Sequence, residues 1–416
     1  MSAPSSPPAA SGRSGAAVPA ILILIAGSAV ALLTFGPRSV FGLFLLPMSQ
    51  EFGWGRDVFG FAVAIQNLLW GVGSPFAGAL ADRFGTVRVL CCGALIYAAG
   101  LALMAYATTP GLLHLSAGVL IGFGLSAASF NLVLAAFGKL LPNEWKSIGF
   151  GLATAAGSFG QFLFPPLTRG LMDTIGWHET LLVFGASLLI VLPFSLALST
   201  RAAAPSAASV AQAPQQTIGA ALSEALRHPS YVLLVLGFFT CGFQLAFVTV
   251  HMPAFLVDKG MSLSVGAYTL ALIGLFNILG SLTAGYLSNR MSRKVLLSVI
   301  YAGRGIAIAV FVMSPITATS CYVFGAAMGF LWLSTVPPTS GLVMLMFGTR
   351  YMAMLYGFAF FSHQVGGFLG VYLGGEIYEA TKSYDWLWWL SVALSFASAA
   401  INLPIRERPV HRPVTV

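Results

Sequence analysis

Charge is what this sequence has least of. Asp, Glu, Lys and Arg make up 8% of its 416 residues and hydrophobic residues make up 57%, whereas an ordinary soluble domain is about 25% charged. A surface so poor in charge cannot face water, but it can face lipid if every backbone polar group is bonded internally. The apolar runs lack the two-residue alternation of a membrane barrel. The sequence therefore predicts an all-α membrane protein embedded in the lipid bilayer.

Cysteine is also scarce, and reactive residues do not form any common kind of active site. The four cysteines lie within apolar segments at no spacing typical of metal binding or redox chemistry, so we interpret them as small core residues. No nucleophile, base and orienting group occur at a usable spacing. We therefore expect a protein that is not an enzyme and needs no metal or other cofactor.

Apolar segments of about 20 residues, the length that crosses a bilayer, recur along the whole chain. Twelve can be counted, at 18–47, 58–81, 88–107, 111–138, 147–169, 178–200, 229–256, 264–287, 295–313, 319–345, 352–376 and 386–404. A polar linker with an amphipathic stretch at 218–226 separates two groups of six. The expected units are a disordered tail (1–17), a six-helix bundle (18–200), a linker (201–228), a second six-helix bundle (229–404) and a tail (405–416).

The positions of Lys and Arg predict how the helices are oriented. If both termini are cytoplasmic, fourteen of the twenty basic residues lie in cytoplasmic segments, four lie in outer loops, and Arg38 and Arg304 lie within helices. Such a bias marks the cytoplasmic side of a membrane. We therefore expect a bacterial inner-membrane protein with both termini in the cytoplasm, and its net charge of +8 requires no nucleic-acid partner.

One loop sequence occurs in both halves of the chain. Residues 78–90 read GALADRFGTVRVL, and residues 285–297, which lie 207 positions later, read GYLSNRMSRKVLL. A small glycine lets two helix ends approach closely, Asp82 can cap a neighbouring helix, and the arginines can bind carboxylates or carbonyls. We interpret the loop as a switch that holds the halves together in one conformation and releases them in another. Its candidate residues are Gly78, Asp82, Arg83, Gly85, Arg88 and Arg290.

This loop resembles the signature of the major facilitator superfamily, G-x-L-a-D-r-x-G-r-[k/r] between helices 2 and 3. The resemblance implies two pseudo-symmetric six-helix bundles, with helices 1, 4, 7 and 10 lining a central cavity and helix 9 at the periphery. The helix-4 arginine and the helix-5 G-P-x-x-G-G pattern of drug-exporting members are missing. The run RSVFGLFLLP, followed by EFGW, looks like bacterial members related to monocarboxylate and oxalate/formate carriers.

Two arginines lie at membrane depth, where ionisable residues are costly and are often functional. Arg38 follows Gly36 and Pro37, which can interrupt the first helix. Its guanidinium suits a carboxylate, although it can instead snorkel to the interface. Arg304, in the middle of the ninth helix, is a second candidate ligand for substrate, with bonding to carbonyls or a carboxylate of neighbouring helices as the alternative.

Neutral polar residues and histidines complete the candidate site. Asn131 and Gln244 belong to presumed cavity-lining helices, and His251 lies in the outer half of the seventh helix. No carboxylate is clearly central, so coupling to a proton is assigned to His251, His363 or Glu376, or to a carboxylate of the substrate. Each histidine can equally be a satisfied packing residue, and buried amides serve more often as contacts between helices.

These residues predict a secondary transporter that works by alternating access as a functional monomer. The expected substrate is a small organic anion, with a monocarboxylate as the leading candidate, carried together with a proton in symport. Efflux of drug-like or amphipathic compounds is the alternative within transport. A membrane sensor that no longer transports is a more remote alternative.

Overall fold

The computed structural model of the chain describes residues 19–200, 218–348 and 351–410. Within these ranges the regular structure is helical, as the long apolar runs predict. The predicted tail at 1–17, residues 201–217 of the predicted linker and residues 411–416 lie outside the described residues.

Nine described stretches are long and apolar enough to cross a membrane. They are Ala20–Phe52 (α1), Arg56–Phe84 (α2), Thr86–Ala105 (α3), Pro110–Leu140 (α4), Asn143–Ala197 (α5 and α6), Pro229–Asp258 (α7), Leu263–Leu287 (α8), Arg293–Met313 (α9) and Ala318–Phe347 (α10). Two further helices follow, Met352–Thr381 (α11) and Asp385–Asn402 (α12).

The stretch Asn143–Ala197 contains two spans. Its 55 residues rise by about 1.5 Å each in a helix. One helix of that many residues would be more than twice as long as the bilayer core is thick. Gly176 has a φ of 86° and a ψ of 172°, values that end one helix and start another. With α5 at 143–175 and α6 at 177–197, the described chain has twelve spanning helices, and the predicted number is confirmed.

Each half of the chain has its own apolar core. Leu43, Phe44 and Phe137 are fully buried in the first half, whereas Phe247 and Trp388 are fully buried in the second. The halves meet along three helix pairs, in which α2 packs on α11, α5 on α8 and α1 on α7. This is the predicted arrangement of two six-helix bundles, with the space between them available for a site.

Consecutive spans run in opposite directions, so their connections gather at two ends of the molecule. One end, called here the linker face, carries the turn at Gly85 and the helix Ile218–Arg227, which lies at the predicted amphipathic stretch. The other end, the opposite face, carries turns at Gly53 and Gly260, whose φ values are 67° and 83°. Glycine reaches such positive φ angles without steric cost.

The described part of the C-terminal tail packs against the linker face. The Arg406 amide donates to Ser230 Oγ (3.0 Å) and the Val410 amide donates to the Met346 carbonyl (2.9 Å). Glu407 accepts from the Lys294 amide at the start of α9 (2.7 Å), where a carboxylate offsets the positive end of the helix dipole. Residues 405–410 therefore join the second bundle.

Three spanning helices are interrupted near the middle of the molecule. The breaks separate Ala20–Arg38 from Phe41–Phe52 in α1, Ile121–Ala127 from Phe130–Leu140 in α4, and Ala318–Leu331 from Val336–Phe347 in α10. The predicted interruption of α1 beside Gly36 and Pro37 is confirmed. Within a membrane, irregular backbone is tolerated where it is enclosed by protein or lines a cavity.

Candidate functional site

A cavity of about 430 Å³ lies between the two bundles. Its walls come from α1, α2, α4 and α5 of the first half and from α7, α8, α10 and α11 of the second. Phe150 and Tyr356, near the linker-face ends of α5 and α11, belong to its lining. The cavity therefore extends from the middle of the molecule toward the linker face.

The three helix breaks reach this cavity. Arg38 and Ser39 line it at the break in α1, Ser129 at the break in α4, and Trp332 and Leu333 at the break in α10. The interruptions thus bring polar side chains and uncoiled backbone to one place, as in the discontinuous helices of many transporters.

Arg38 is a cation without a counter-charge. Its Nη2 donates to Asn67 Oδ1 (2.8 Å), and its Cζ lies 4.4 Å from the centroid of the Trp70 ring. Its Nε is buried and lacks an acceptor. No ion pair among the described residues includes Arg38. A guanidinium held in this way, with unused donors at a cavity, is suited to bind a carboxylate.

The electrostatic character of the cavity depends on few groups. Its lining residues include one arginine, Arg38, and one histidine, His363, and no Lys, Asp or Glu occurs among those described. Asn131, also predicted to contact substrate, lies in the wall beside Ser129 and Phe130. The structure therefore brings together Arg38, Asn131 and His363 among the residues that the sequence singles out.

A chain of hydrogen bonds connects Arg38 with His363 across the two halves. Asn67, which holds Arg38, accepts at its backbone carbonyl from Gln364 Nε2 (3.2 Å). The Oε1 atom of Gln364 lies 3.0 Å from His363 Nδ1. Asn67 and Gln364 are both buried. The cation of the first half and the imidazole of the second are thus joined through the contact between α2 and α11.

Arg304 and Gln244 lie away from the cavity lining. Arg304 is fully buried and donates to the Leu331 carbonyl through Nε (3.0 Å) and Nη2 (2.7 Å), and also to the Trp332 carbonyl. Gln244 donates to the carbonyl of Ser391 (3.0 Å). Arg304 therefore satisfies carbonyls left free by the break in α10. This is the second of the two interpretations considered for it, and the substrate role predicted for both residues gains no support from this geometry.

His251 and Glu376 lie toward the opposite face, also outside the cavity lining. His251 is fully buried, with Nε2 at 2.9 Å from the Val371 carbonyl and Nδ1 at 3.2 Å from the Tyr384 hydroxyl. Glu376 is exposed. This geometry favours a packing role for His251 over substrate binding. It gives no support for proton coupling by Glu376, which lies outside the cavity.

The opposite face is closed by an ion pair between a buried arginine and a partly exposed aspartate, which the sequence analysis did not identify. Arg56, the first residue of α2, donates to both carboxylate oxygens of Asp258 at the end of α7, each at 2.7 Å. Its backbone amide donates to Glu379 Oε1 (2.8 Å) on α11, and its guanidinium lies 3.7 Å from the Tyr378 ring centroid. These contacts join the two halves, and we call this group the Arg56 gate.

Tyr384, between α11 and α12, contacts Arg56 of the gate through its hydroxyl group. Its hydroxyl accepts from Arg56 Nη1 (3.1 Å) and also contacts His251. Burial raises the pKa of the Tyr384 phenol above its ordinary value, so the group stays protonated. His251 thus belongs to the support of the gate.

Asp258→Asn should open the opposite face more often. Charge-assisted hydrogen bonds are worth about 1.5–3 kcal/mol each, so we expect cavity access from that face to rise about tenfold or more. The measurement is labelling of a Thr249→Cys variant, in the cavity wall, by an impermeant thiol reagent added at that face. Glu376→Gln, an exposed carboxylate on the same face, is the control. Equal labelling of both variants would contradict a gating role for Asp258.

The repeated loops lie on the linker face and do not join the halves in this conformation. Asp82 caps no helix; it pairs with Lys139 of the same bundle (2.6 Å), and both side chains are exposed. Arg83 and Arg290 lie over the rings of their own neighbours, Phe84 and Tyr286. An exposed ion pair contributes about 0–1 kcal/mol, so these contacts stabilise the loop weakly.

Two glycines of the first loop, Gly85 and Gly78, differ in how closely other atoms surround them. Gly85 has a φ of 89°, and a methyl group on it would lie 3.0 Å from the Thr200 carbonyl, so both its conformation and its surroundings require glycine. A methyl group on Gly78 would have no neighbour within 4 Å. The expected close approach of helices at Gly78 is therefore wrong for this conformation. Arg88 is exposed, and the switch role of the loop remains a prediction.

Comparison with known proteins agrees with this architecture. Residues 27–371 match the model of the Major Facilitator Superfamily. The MFS-type transporter YcxA of Bacillus subtilis (strain 168) is 26% identical over 373 residues, which cover 88% of this chain and 90% of that protein. Monocarboxylate transporter 13 of Rattus norvegicus is 25% identical over 363 residues, which cover 85% of this chain and 81% of that protein.

The fold also matches a solved structure. A D-xylose-proton symporter superposes with a TM-score of 0.72 at 15% sequence identity, covering 93% of this chain and 98% of that chain. At this identity the likeness concerns the fold alone. Since the family model covers most of the chain and eight of the twelve helices line a central cavity, the chain belongs to the Major Facilitator Superfamily and is an integral membrane transporter.

Proposed function

We propose that this transporter carries a small organic anion, with a monocarboxylate as the leading candidate, by alternating access between its two bundles. The observation that carries the proposal is the unpaired guanidinium of Arg38 at the cavity wall. A desolvated cation without a partner is unfavourable, and an incoming carboxylate relieves that cost. The similarity to a protein named monocarboxylate transporter supports the same class of substrate.

The conformation described here is the inward-open state of the proposed cycle. The cavity extends toward the linker face, while the Arg56 gate closes the opposite face. The bias of Lys and Arg supports a cytoplasmic position of the linker face in a bacterial cell. Substrate then exchanges with the cytoplasm in this state, and release of the Arg56 gate exposes Arg38 to the other side of the inner membrane.

A co-transported proton fits best on His363. It is the histidine of the cavity lining, and its Nδ1 already has a hydrogen-bond partner in Gln364. Histidine side chains serve as proton shuttles in many proteins. Glu376, the other candidate for coupling, is exposed outside the cavity. We therefore assign proton symport, in a functional monomer, to His363.

Export of drug-like compounds is the second candidate function. The cavity is lined by several aromatic side chains, including Phe35, Trp70, Phe130 and Phe360, and such walls accept amphipathic molecules of many shapes. The two functions differ in what they require of Arg38, because an apolar or cationic compound does not need an arginine for binding.

Ligand binding by purified protein tests the proposal, because a ligand that binds only the folded state raises the melting temperature. The panel contains monocarboxylates, dicarboxylates, sugars, amino acids and cationic drugs. We expect a monocarboxylate to stabilise the protein and Arg38→Gln to raise its Kd about 30-fold or more, since truncating one partner of a desolvated charge pair costs at least about 2 kcal/mol. Arg227→Gln, at an exposed arginine of the linker helix, should bind as the unaltered protein does. Stabilisation by drugs that is insensitive to Arg38→Gln would instead support export.

A further inference from the structure

The part of the cavity next to Arg38 is lined by a connected group of aromatic rings. The Trp70 ring meets Phe35 at 6.2 Å and 77° and meets Phe360 at 5.4 Å and 79°, measured between centroids and ring planes. Phe130 lies 6.0 Å from Phe35 at 90°. Such edge-to-face packing is the favoured geometry for aromatic pairs. The rings therefore form an ordered apolar wall that begins at the guanidinium.

Two hydrogen-bond donors within this wall lack acceptors. Besides Arg38 Nε, the indole Nε1 of Trp70 is buried without a partner, and the whole Trp70 residue is only 7% exposed. Buried indole N–H groups usually have a partner. Since the guanidinium lies against the Trp70 ring, the unpartnered donors belong to neighbouring groups. A ligand that bears acceptor atoms would satisfy a donor that the protein leaves unpaired.

The charges of the cavity limit the ligand to a single anionic group. Arg38 is the one permanent cation among the lining residues, all of which belong to the described chain. Apart from His363, which is assigned to the co-transported proton, a second carboxylate on the same ligand would meet only neutral donors such as Asn131 and Gln161, and a desolvated charge without a counter-charge is costly. A monoanion therefore fits better than a dianion.

The size of the cavity indicates a bulky substituent on that anion. A cavity of about 430 Å³ is in the range that holds drug-sized ligands. A two-carbon acid on Arg38 would leave the aromatic wall in contact with water, whereas a planar ring attached to the carboxylate would cover it. Stacking against aromatic side chains adds to the free energy gained from burial of apolar area.

We propose that the substrate class is aryl monocarboxylates, with the carboxylate on Arg38 and the aryl ring against Trp70 and Phe360. This inference rests on the proposed function, because it assumes the same anion site at Arg38. It adds that the site selects for a planar aromatic body and discriminates against short acids and dicarboxylates.

The test compares the Kd values of benzoate, cyclohexanecarboxylate, acetate and terephthalate for the full-length protein in detergent. Benzoate should bind about fivefold more tightly than cyclohexanecarboxylate, because an aromatic pair adds about 0.5–1.5 kcal/mol beyond area burial. It should bind at least about tenfold more tightly than acetate, since burying a ring removes much apolar area from water. Terephthalate should bind more weakly than benzoate.

Phe360→Leu tests the wall itself, because Phe360 contacts Trp70 and not Arg38 in the described set of ring contacts. It should remove the advantage of benzoate over cyclohexanecarboxylate and leave acetate binding unchanged. Phe358→Leu, at an exposed position of the same helix, is the control and should change none of the four Kd values.

The outcomes separate this inference from the proposed function. If acetate or cyclohexanecarboxylate binds as tightly as benzoate, and Arg38→Gln still abolishes binding, the aryl preference is wrong while the anion site stands. If no carboxylate binds in an Arg38-dependent manner, both proposals are wrong. If Phe360→Leu fails to fold, the four Kd values of the unaltered protein still decide the question.

Discussion

Leucine at Gly78 or at Gly285 should leave the protein folded and able to bind ligand, yet slow its transport about tenfold or more. In the conformation described here a methyl group on either glycine has no neighbour within 4 Å. Leucine is also a better helix former than glycine by up to about 1 kcal/mol. The substitution therefore costs little in this state, and its effect arises in the state that the transporter must reach next.

Gly78 lies on the face of α2 that packs on α11 nearer the middle of the molecule. A methyl group on Gly71 would lie 2.7 Å from Cβ of Gln364, so the two helices touch there. Gly78 lies seven residues after Gly71, and Gly357 lies seven residues before Gln364. Seven residues are about two helical turns, so Gly78 lies on the same face of α2 as Gly71, and Gly357 lies on the same face of α11 as Gln364. A methyl group on Gly357 also has no neighbour within 4 Å.

The pair formed by α5 and α8 shows the same pattern. A methyl group on Gly274 would lie 2.5 Å from the Phe162 amide nitrogen, which marks close contact. Gly285 lies eleven residues after Gly274, and Gly151 lies eleven residues before Phe162, about three turns in each case. Both Gly285 and Gly151 are open. Each helix pair is therefore closed in the middle and open at the linker face.

In the proposed cycle we expect closure of the linker face to bring these glycines together. Gly78 should then meet the α11 face at Gly357, and Gly285 should meet the α5 face at Gly151. A leucine in such a contact overpacks it, at a typical cost of about 1–3 kcal/mol, which shifts the balance of the two conformations by about 5- to 150-fold. We therefore expect the glycine of the repeated loop to permit close approach of the helices in the other conformation.

Transport by proteoliposomes, measured alongside the Kd of the same ligand, checks this expectation. Gly170→Leu is the control, because Gly170 is equally free of neighbours but lies toward the opposite face on α5. Transport at the normal rate in Gly78→Leu and Gly285→Leu would show that the two helix pairs do not close at these residues. A loss of ligand binding in step with transport would point to misfolding, and the melting temperature would reveal it.

Local patterns explain why the helices could be predicted from the sequence. A run of about 20 apolar residues leaves a membrane helix as the only way to satisfy its backbone, and Gly36 with Pro37 marks the break in α1. The junction of α5 and α6 at Gly176 falls between the predicted spans 147–169 and 178–200, because the polar stretch DTIGWHE interrupts the apolar pattern there. The first helix extends to Phe52, beyond its predicted end at 47, since its last turn is polar.

The partners of the charged residues could not be predicted in the same way. Arg56 and Asp258 are 202 positions apart, and nothing local indicates that they meet. The order of the spans places the start of α2 and the end of α7 at the same face, so the topology offers the one signal that could have suggested the pair. Arg38 and Arg304 are both single arginines within apolar helices, and the sequence distinguishes them by Gly36 and Pro37 beside Arg38. The packing of their neighbours is what shows that Arg304 binds carbonyls at the break in α10 and that Arg38 lines the cavity.

Arg304→Met should destabilise the protein strongly and leave ligand binding nearly unchanged. Arg304 provides the donors for the Leu331 and Trp332 carbonyls at the break in α10, and each buried acceptor left unpaired costs about 1–3 kcal/mol. Removal of a buried charge recovers part of this cost. We therefore expect the free energy of unfolding to fall by about 2–4 kcal/mol, measured as a lower melting temperature in detergent.

Arg38→Met provides the matched comparison, because the same substitution is made at the other membrane arginine. Arg38 has one protein acceptor, Asn67 Oδ1, and borders the cavity, so its loss should weaken carboxylate binding and change the melting temperature little. If Arg304→Met keeps its stability and loses ligand binding, Arg304 is part of the substrate site and must turn toward the cavity in another conformation. If instead Arg304→Met lowers the stability and Arg38→Met weakens ligand binding, Arg38 binds the ligand and Arg304 stabilises the break in α10. That break holds Trp332 and Leu333 at the cavity wall.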